Sequence, residues 1–433
     1  MRFLLINPPV YDFACYDLWM RPYAFLRLAT LLRTLGEVYY LDSLDRGEEG
    51  VGEREDSFGC GKFRKTLLPP PPLLREINRP YFRYGMEEEE VERRLEDFPS
   101  PDFVFINTGM TYWYPGVREM VNRVKRHFPS SPVILGGIYA TIIPEHARSI
   151  PGVDMVFRGK EEELIKFLAH LTGRRIIPPR PFIPSLDLLK RRDSFALFTS
   201  YGCPFRCSYC ASFLFHSSFG FRRLEDLLEE LDYYQDKGVE HIAILDDAFL
   251  YQADKHALPF LEALQKRRYS FTFHTPNALH ARFLTLRIAE LLKENNFLTL
   301  RLGLETAQEE LMRSTGDKVR KQDFEQALGF LKEAGYPLSQ VGVYIMLGLP
   351  GSGKKELKES ILYVHSLGAR VILANYSPIP HTPMWRDILR MGILEEDSDP
   401  LWHNNTIFPL RLGWSLEEIR EMRDWVKELN EKL

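Results

Sequence analysis

The first part of the chain alternates short apolar runs with longer stretches of helical spacing. Five apolar runs have the length of buried parallel strands, at residues 2–6, 38–41, 102–107, 132–135 and 153–157. Between them, apolar positions recur every three or four residues, which predicts helices over residues 22–35, 113–128 and 161–171. This α/β alternation predicts a doubly wound, Rossmann-like parallel sheet over residues 1–172.

The same alternation resumes in the second half of the chain. Six further apolar runs predict strands at residues 195–199, 242–245, 271–274, 298–302, 341–347 and 371–375. Six strands with intervening helices predict a partial (β/α)6, TIM-like barrel over residues 195–385, with site groups at strand carboxyl ends. A C-terminal helical extension over 386–433 follows, in which Ser415 is placed to cap a helix over 416–429.

Two segments break the alternation. Residues 173–194 hold four prolines among basic residues and are predicted to be a Pro-rich linker. Residues 45–100 form an insertion rich in glycine, proline and glutamate, with a helix predicted over 87–97. The insertion is either a solvated excursion or a lid or substrate wall on the ligand side of the sheet.

Composition narrows the functional class. A chain of 433 residues is expected to form two or three domains. A net charge of −4 provides no basic surface for nucleic acid, and no apolar stretch is long enough to be a transmembrane segment. Five cysteines, three of them clustered, do not form a disulfide framework, so a cytoplasmic location is expected.

The clustered cysteines are Cys203, Cys207 and Cys210, spaced C-x3-C-x2-C. A structural zinc site takes four N or S ligands, and the remaining cysteines, Cys15 and Cys60, are single and distant. Three thiolates fit a [4Fe–4S] cluster that keeps one iron open. The alternative is a loop with chance cysteines, and three thiols within eight residues of a five-cysteine chain argue against it.

With Tyr209 before its last cysteine, this segment resembles the signature of the radical S-adenosylmethionine (SAM) superfamily. The resemblance implies that the open iron chelates the amino and carboxylate groups of SAM. It further implies that the reduced cluster cleaves SAM to a 5′-deoxyadenosyl radical, with electrons from a donor such as flavodoxin or ferredoxin. The partner would be a small-molecule substrate. An aromatic run either lines an apolar substrate pocket or packs in the core: Phe213, Phe215, Phe219 and Phe221.

Polar residues follow the predicted barrel strands, where they would face one mouth. They are Asp246, Asp247, His274, Asn277, Glu305 and Tyr376. The aspartates would bind metal or accept hydrogen bonds from hydroxyls, or else cap a helix. By resemblance, Glu305 lies near the ribose and methionyl group of SAM; the alternative is a structural ion pair with Arg301.

Gly348 opens the segment Gly348-Leu-Pro-Gly351, which resembles a family segment that packs on adenine, although Ser352 stands where relatives often carry an acid. The pattern Gly348-x4-Gly353-Lys354 also resembles a phosphate-binding P-loop. Lys355, however, occupies the next position, where a P-loop needs Ser or Thr, and this argues against an NTPase. We therefore assign cofactor binding, without assigning a catalytic residue, to Tyr209, Asp246, Asp247, Glu305, Gly348 and Tyr376.

The N-terminal pattern resembles the cobalamin-binding-type domain that precedes many radical SAM domains. The matching residues are Asn7-Pro8-Pro9, Gly136-Gly137, Ala140-Thr141, Pro144-Glu145, Asp154 and 158–161. Candidate cobalamin contacts are Asn7, Pro8, Gly136 and Gly137, although the glycine pair also suits a simple tight turn. No D-x-H-x-x-G loop follows the first strand, and no histidine precedes His127. Either cobalamin binds without a histidine ligand, or the domain keeps the architecture without the cofactor.

These features predict a radical SAM enzyme with a [4Fe–4S] cluster and SAM. The resemblance implies cobalamin-dependent methyl transfer to an unactivated carbon. A radical rearrangement or cyclisation without cobalamin remains an alternative. A non-enzymatic iron–sulfur protein for electron transfer or sensing is a third.

Overall fold

The computed structural model describes residues 1–55, 57–216 and 218–433. Asp56, inside the predicted insertion, therefore lies outside the described residues. The chain divides into one unit of Met1–Phe195 with Glu229–Val239 and another of Ala196–Leu228 with Glu240–Leu433. Within the described ranges, no helix combines the length and apolarity that crossing a membrane requires.

The first unit is built on a five-stranded sheet in which every pairing is parallel. Across the sheet the strands are Met155–Val156, Val133–Gly137, Phe103–Thr108, Arg2–Asn7 and Glu37–Asp42. Numbered along the chain, this is the order 2-1-3-4-5 of a doubly wound fold, as predicted. The winding reverses between Arg2–Asn7 and Phe103–Thr108, and a switch point of this kind opens a crevice at the strand carboxyl ends.

Helices cover both faces of this sheet because its strands are apolar on both sides. Within Met1–Phe195 the helices are Tyr23–Leu32, Glu88–Asp97, Tyr114–His127, Ile138–Ile142, Pro144–Arg148 and Glu161–Thr172. Phe3 and Leu5 point to one face and join a core with residues of Tyr23–Leu32 and Glu161–Thr172. The intervening Leu4 and Ile6 are equally buried, so the first strand has no solvent-facing side beyond Arg2.

The insertion is folded and packed. Its strand Tyr81–Tyr84 pairs antiparallel with Val10–Asp12 on one side and Lys65–Leu68 on the other. A second hairpin joins Gly52–Glu55 to Gly61–Phe63. The predicted helix is present as Glu88–Asp97, with Val91 and Leu95 fully buried. The enclosed Arg83 pairs with Glu119 of the helix Tyr114–His127 at 3.0 Å. The interpretation of a solvated excursion is therefore wrong.

Residues 173–194 contain no strand or helix before Ser194 except the short turn Leu186–Leu188. They nevertheless pack onto the first unit, since Leu186 and Leu189 are buried. Asp187 pairs with Arg33 at 2.6 Å. The segment is held along its length, which a free linker would not be.

The second fold is a partial barrel whose strands lie in chain order in two sheets. One sheet has Ser194–Leu197, His241–Ile244, Thr272–His274 and Phe297–Thr299, and the other has Arg301–Glu305, Gly342–Leu347 and Arg370–Asn375. The fourth predicted strand is broken at Leu300 and supplies one strand to each sheet. A short hairpin, Ser200–Tyr201 with Gly220–Phe221, follows the first strand.

Helices alternate with the barrel strands and then form the C-terminal extension. They are Ser212–Phe215, Leu224–Asp236, Ala257–Arg267, Leu286–Glu294, Glu309–Ser314, Lys321–Glu333, Lys354–Ser366, Pro383–Arg390, Phe408–Arg411 and Leu416–Asn430. Ser415 caps the last helix, as predicted, and its hydroxyl accepts from Glu418 N at 3.1 Å. Lys354, the lysine of the P-loop-like segment, pairs with Glu418 and does not face a phosphate cradle.

Candidate functional site

The three clustered cysteines lie on one irregular segment, the cysteine loop (residues 202–211), which follows the strand Ser200–Tyr201. Gly202 begins it with φ of 73°, a conformation that glycine adopts without strain. Cys210 N donates to Cys207 O at 3.0 Å, which tightens the turn between the last two cysteines. One tight loop therefore presents three thiols.

Two other segments hold the cysteine loop through its backbone. Ser208 N donates to Thr315 O at 3.0 Å, and Ser208 O accepts from Met384 N at 2.9 Å. Gly316, with φ of 124°, comes so close that an added Cβ would lie 3.1 Å from Cys207 Cα. The loop is thus fixed mainly by backbone contacts, which leaves its thiols available for a ligand.

The thiols fit a cluster better than a single metal ion. In the described part of the chain, no three His, Cys, Asp or Glu side chains converge as one bound ion would require. The ligands of a [4Fe–4S] cluster bind different irons and so stand further apart. Burial raises the pKa of Cys203 to about 11 and also raises the pKa values of Cys207 and Cys210. Stable thiolates here need a cationic partner such as cluster iron.

Glu305 and Lys318 form an ion pair beside the cysteine loop. Lys318 Nζ lies 2.9 Å from Glu305 Oε1, and the two side chains are only 17% and 13% exposed. Glu305 ends the strand Arg301–Glu305 with φ of 69°, in the left-handed region. Glu305 thus forms a structural ion pair, but with Lys318 and not with Arg301 as the alternative predicted. Sequence reasoning missed Lys318 because no motif marks it.

Tyr209 belongs to the same neighbourhood. Its hydroxyl hydrogen-bonds the Cys207 thiol. Burial raises the pKa of Tyr209, and negative charge on Glu305 and Cys207 adds to the effect. The structure therefore brings together Cys207, Tyr209 and Glu305 from the predicted set, with Lys318 as a fourth member.

The two aspartates of the predicted set have different surroundings. Asp246 is 2% exposed and accepts from Thr199 N at 2.7 Å and from its hydroxyl at 2.6 Å. It thus holds the segment that leads into the cysteine loop, and neither caps a helix nor points to open space. Asp247 is exposed, accepts a hydrogen bond from Ser212, and raises the pKa of Cys203 and Cys210 by its charge.

Gly348 and Tyr376 lie against the C-terminal extension. An added Cβ on Gly348, whose φ is 77°, would meet Pro409 Cγ at 2.8 Å, so the backbone approaches protein at this point. Tyr376 is buried in an apolar cluster with Trp385 and Phe408, which Tyr209 borders. Packing accounts for the glycine at position 348, whereas the buried hydroxyl of Tyr376 has no hydrogen-bond partner among the described residues.

His274 and Asn277, also predicted to face the mouth, are used within the barrel. His274 is fully buried and bonds Thr299 Oγ1 at 2.8 Å and His241 Nδ1 at 3.2 Å. Asn277 Nδ2 donates to Leu245 O at 2.6 Å. Their polar atoms tie neighbouring strands together.

A cavity of about 490 Å³ opens beside Cys203. Aromatic side chains form much of its wall, namely Tyr201, Phe219, Phe221 and Tyr251. Arg206 adds a cationic group and also lies over the Phe213 ring at 5.3 Å. Part of the predicted aromatic run therefore lines a space next to the cysteine loop.

The predicted cobalamin contacts meet at the carboxyl edge of the first unit's sheet. Asn7 accepts from Asn107 Nδ2 at 2.9 Å and donates to Asp42 Oδ1 at 2.7 Å, with Pro8 following directly. Gly137 has φ of 113°, and an added Cβ would lie 2.4 Å from a backbone oxygen. Gly136 differs, because no atom lies within 4 Å of its added Cβ. The edge therefore has an open face at Gly136.

Two apolar residues that follow the strands Phe103–Thr108 and Val133–Gly137 are exposed. Met110 and Ile138 are 42% and 41% exposed, so the insertion leaves them uncovered. His127 and His146, the first two histidines of the chain, both have hydrogen-bond partners. His127 contacts Glu92 at 2.5 Å, and His146 Nδ1 bonds Tyr139 OH at 2.6 Å. The edge thus combines an open backbone position at Gly136 with two exposed apolar residues on the segments that follow its strands.

Comparison with known proteins supports both halves of this description. The model of the radical SAM superfamily matches residues 197–364, and that of the B12-binding domain matches residues 79–168. The uncharacterized methyltransferase PH0819 of Pyrococcus horikoshii is 26% identical over 301 residues, which cover 60% of this chain and 64% of PH0819. The chain thus spans slightly less than two thirds of that relative.

Solved structures show the same fold. The radical SAM methyltransferase TsrM from Kitasatospora setae, solved with tryptophan substrate and a SAM analog, has a TM-score of 0.67 at 18% identity. That match covers 90% of this chain and 76% of TsrM. The cobalamin-dependent radical enzyme OxsB has a TM-score of 0.58 at 15% identity, covering 92% of this chain and 56% of OxsB. The chain therefore contains a radical SAM domain, with a B12-binding domain ahead of it.

Proposed function

We propose that the chain is a cobalamin-dependent radical SAM methyltransferase that modifies an unactivated carbon of a small-molecule substrate. The observation that carries the proposal is the presentation of Cys203, Cys207 and Cys210 by one loop, with Glu305 beside it. The open face at Gly136 supports a corrinoid role for the first unit. The names of PH0819 and TsrM, both methyltransferases, favour methyl transfer over rearrangement.

The side chains around the cysteine loop have separable roles in this proposal. The three thiolates hold the cluster, which when bound supplies the electron that cleaves the sulfonium of SAM. Glu305 accepts hydrogen bonds from the ammonium or ribose hydroxyls of SAM. Asp246 keeps the strand before the loop in place. The aromatic cavity beside Cys203 holds an apolar part of the substrate.

The experiment is anaerobic purification followed by iron, SAM-cleavage and corrinoid-binding assays on one preparation, with flavodoxin or ferredoxin as electron donor. The proposal expects about four irons per chain, formation of 5′-deoxyadenosine or S-adenosylhomocysteine, and uptake of cobalamin. Cleavage of SAM without corrinoid uptake would favour a rearrangement or cyclisation. If adding SAM leaves the EPR spectrum of the reduced cluster unchanged, the result would favour a non-enzymatic protein for electron transfer or sensing.

Replacing Glu305 with glutamine should weaken SAM binding by roughly 1.5–3 kcal/mol, because a charge-assisted acceptor is lost. The cluster should remain, since Glu305 is not one of its ligands. Equilibrium dialysis with SAM and iron analysis of the same sample measure both effects. The exposed Glu310→Gln is the matched control. An unchanged SAM affinity would leave Glu305 with only its structural pairing to Lys318.

Bound cobalamin should lack an imidazole ligand, because no D-x-H-x-x-G loop follows the first strand and because His127 and His146 already bond Glu92 and Tyr139. The EPR spectrum of the Co(II) form should therefore show no nitrogen superhyperfine splitting. A resolved nitrogen splitting would contradict this prediction.

A further inference from the structure

The three thiols of the cysteine loop share a hydrogen-bonding pattern, in which each accepts a bond from the residue two positions after it. Phe205 N donates to the Cys203 thiol. Ser212 N donates to Cys210 Sγ at 3.4 Å. Both of these donors are backbone amides, so the loop provides them whatever side chains it carries.

The thiol of Cys207 differs, because the donor two positions after it is a side chain. The phenol hydroxyl of Tyr209 hydrogen-bonds this thiol. Cys207 is buried, whereas Cys203 and Cys210 are only half-buried. Little water therefore reaches the Cys207 sulfur to replace the hydroxyl. Of the three bonds, this is the one that a side-chain substitution removes.

The Tyr209 ring is held independently of its hydroxyl. The ring packs against the apolar cluster that contains Trp385 and Phe408. The preceding residue, Ser208, has its backbone fixed by hydrogen bonds at both its N–H and its C=O. The hydroxyl is therefore kept on the sulfur with little freedom to reorganise when the charge of a bound cluster changes.

A hydrogen bond to a cluster sulfur strengthens as the sulfur becomes more negative. Reduction adds one electron to a [4Fe–4S] cluster, and part of that charge resides on the cysteine sulfurs. The donor therefore stabilises the reduced state more than the oxidised state. Hydrogen bonds to the sulfurs are among the features that set cluster potentials, and they act more strongly where the local dielectric is low.

We propose that the Tyr209 hydroxyl raises the reduction potential of the cluster through its hydrogen bond to the Cys207 thiolate. This inference rests on the proposed cluster and gives the tyrosine of the cysteine loop a role of its own. One electron passes from the flavodoxin or ferredoxin donor to the cluster, and the hydroxyl makes that transfer more favourable. Tyr209 is a positioning residue that acts through Cys207 and takes no part in bond cleavage.

The test is an EPR-monitored redox titration of the anaerobically reconstituted full chain without SAM, with Tyr209→Phe as the variant. Phenylalanine keeps the ring in place and removes only the hydroxyl. The ratio of reduced to oxidised cluster at a fixed potential should fall by about tenfold, equivalent to a midpoint lower by roughly 59 mV for one electron. The iron content and the dissociation constant for SAM should stay at their wild-type values.

Two further proteins make the result specific. Tyr336→Phe removes another buried hydroxyl, which bonds Phe297 O at 2.9 Å within the barrel, and should leave the midpoint potential unchanged. A fluorotyrosine incorporated at position 209 is a stronger donor of nearly the same shape and should raise the midpoint potential. This second protein keeps the hydroxyl, so it tests the inference even where Tyr209→Phe holds no cluster.

The outcomes separate the inference from the proposed function. A wild-type midpoint potential in the Tyr209→Phe or the fluorotyrosine protein, or an equal shift in Tyr336→Phe, would overturn the inference alone. Weaker SAM binding by Tyr209→Phe at an unchanged midpoint would also overturn it, and would assign the hydroxyl to the cosubstrate. A wild-type chain that holds no cluster would overturn the proposed function with it.

Discussion

Replacing Cys207 with alanine should yield a folded protein that neither retains a cluster nor cleaves SAM. All three protein ligands come from one loop, so removing one leaves two thiolates for four irons. Cys207 is also the most enclosed of the three, with Gly316 and Tyr209 against it. Iron and sulfide analysis after anaerobic reconstitution, together with a 5′-deoxyadenosine assay, measures the loss. The brown colour of the wild type should be absent.

The remaining cysteines provide the comparison. Cys203→Ala and Cys210→Ala should behave like Cys207→Ala, whereas Cys15→Ala and Cys60→Ala should keep cluster and activity. Cys60 is 5% exposed, so its replacement also controls for the loss of a buried thiol. Full SAM cleavage by the Cys207→Ala protein would contradict the cluster assignment.

Sequence patterns predicted the parallel sheets well, because strands buried on both faces are continuous apolar runs. They did not predict the insertion's antiparallel strands. Tyr81–Tyr84 contains Arg83, whose charge suggests an exposed position in any local pattern. Its partner Glu119 lies 36 positions away, so only the folded chain explains its burial.

In the candidate site, too, features set by local sequence were predicted and features set by distant contacts were not. The cysteine spacing is local, and it was enough to identify the three thiols. The roles of the strand-end residues depend on contacts between distant segments. Asp246 accepts hydrogen bonds from Thr199, 47 positions away. Glu305 pairs with Lys318, which follows the helix Glu309–Ser314 and belongs to no motif. A carboxylate at a strand end looks the same in sequence whether it faces a ligand or anchors a neighbour.

The second large effect is expected at Gly136. Replacing it with valine should abolish corrinoid binding while leaving the fold intact. No protein atom lies within 4 Å of the added Cβ, and the residue lies in the strand Val133–Gly137, where a β-branched side chain is well tolerated. The new methyl groups would instead occupy the open space at Gly136. Cobalamin uptake by the purified protein, followed by absorbance after gel filtration, should fall at least tenfold.

Two substitutions make this result interpretable. Gly137→Val would not test the ligand, because φ of 113° and a 2.4 Å approach to Thr108 O predict a strained fold. Gly329→Val, on the helix Lys321–Glu333, also adds a side chain where no atom lies within 4 Å, and should leave corrinoid uptake unchanged. Wild-type uptake by a stably folded Gly136→Val protein would move the corrinoid away from this edge. Loss of corrinoid uptake with an unchanged melting temperature and intact SAM cleavage would place the corrinoid at this edge. Only a ligand that occupies the space at Gly136 would be displaced by the valine side chain.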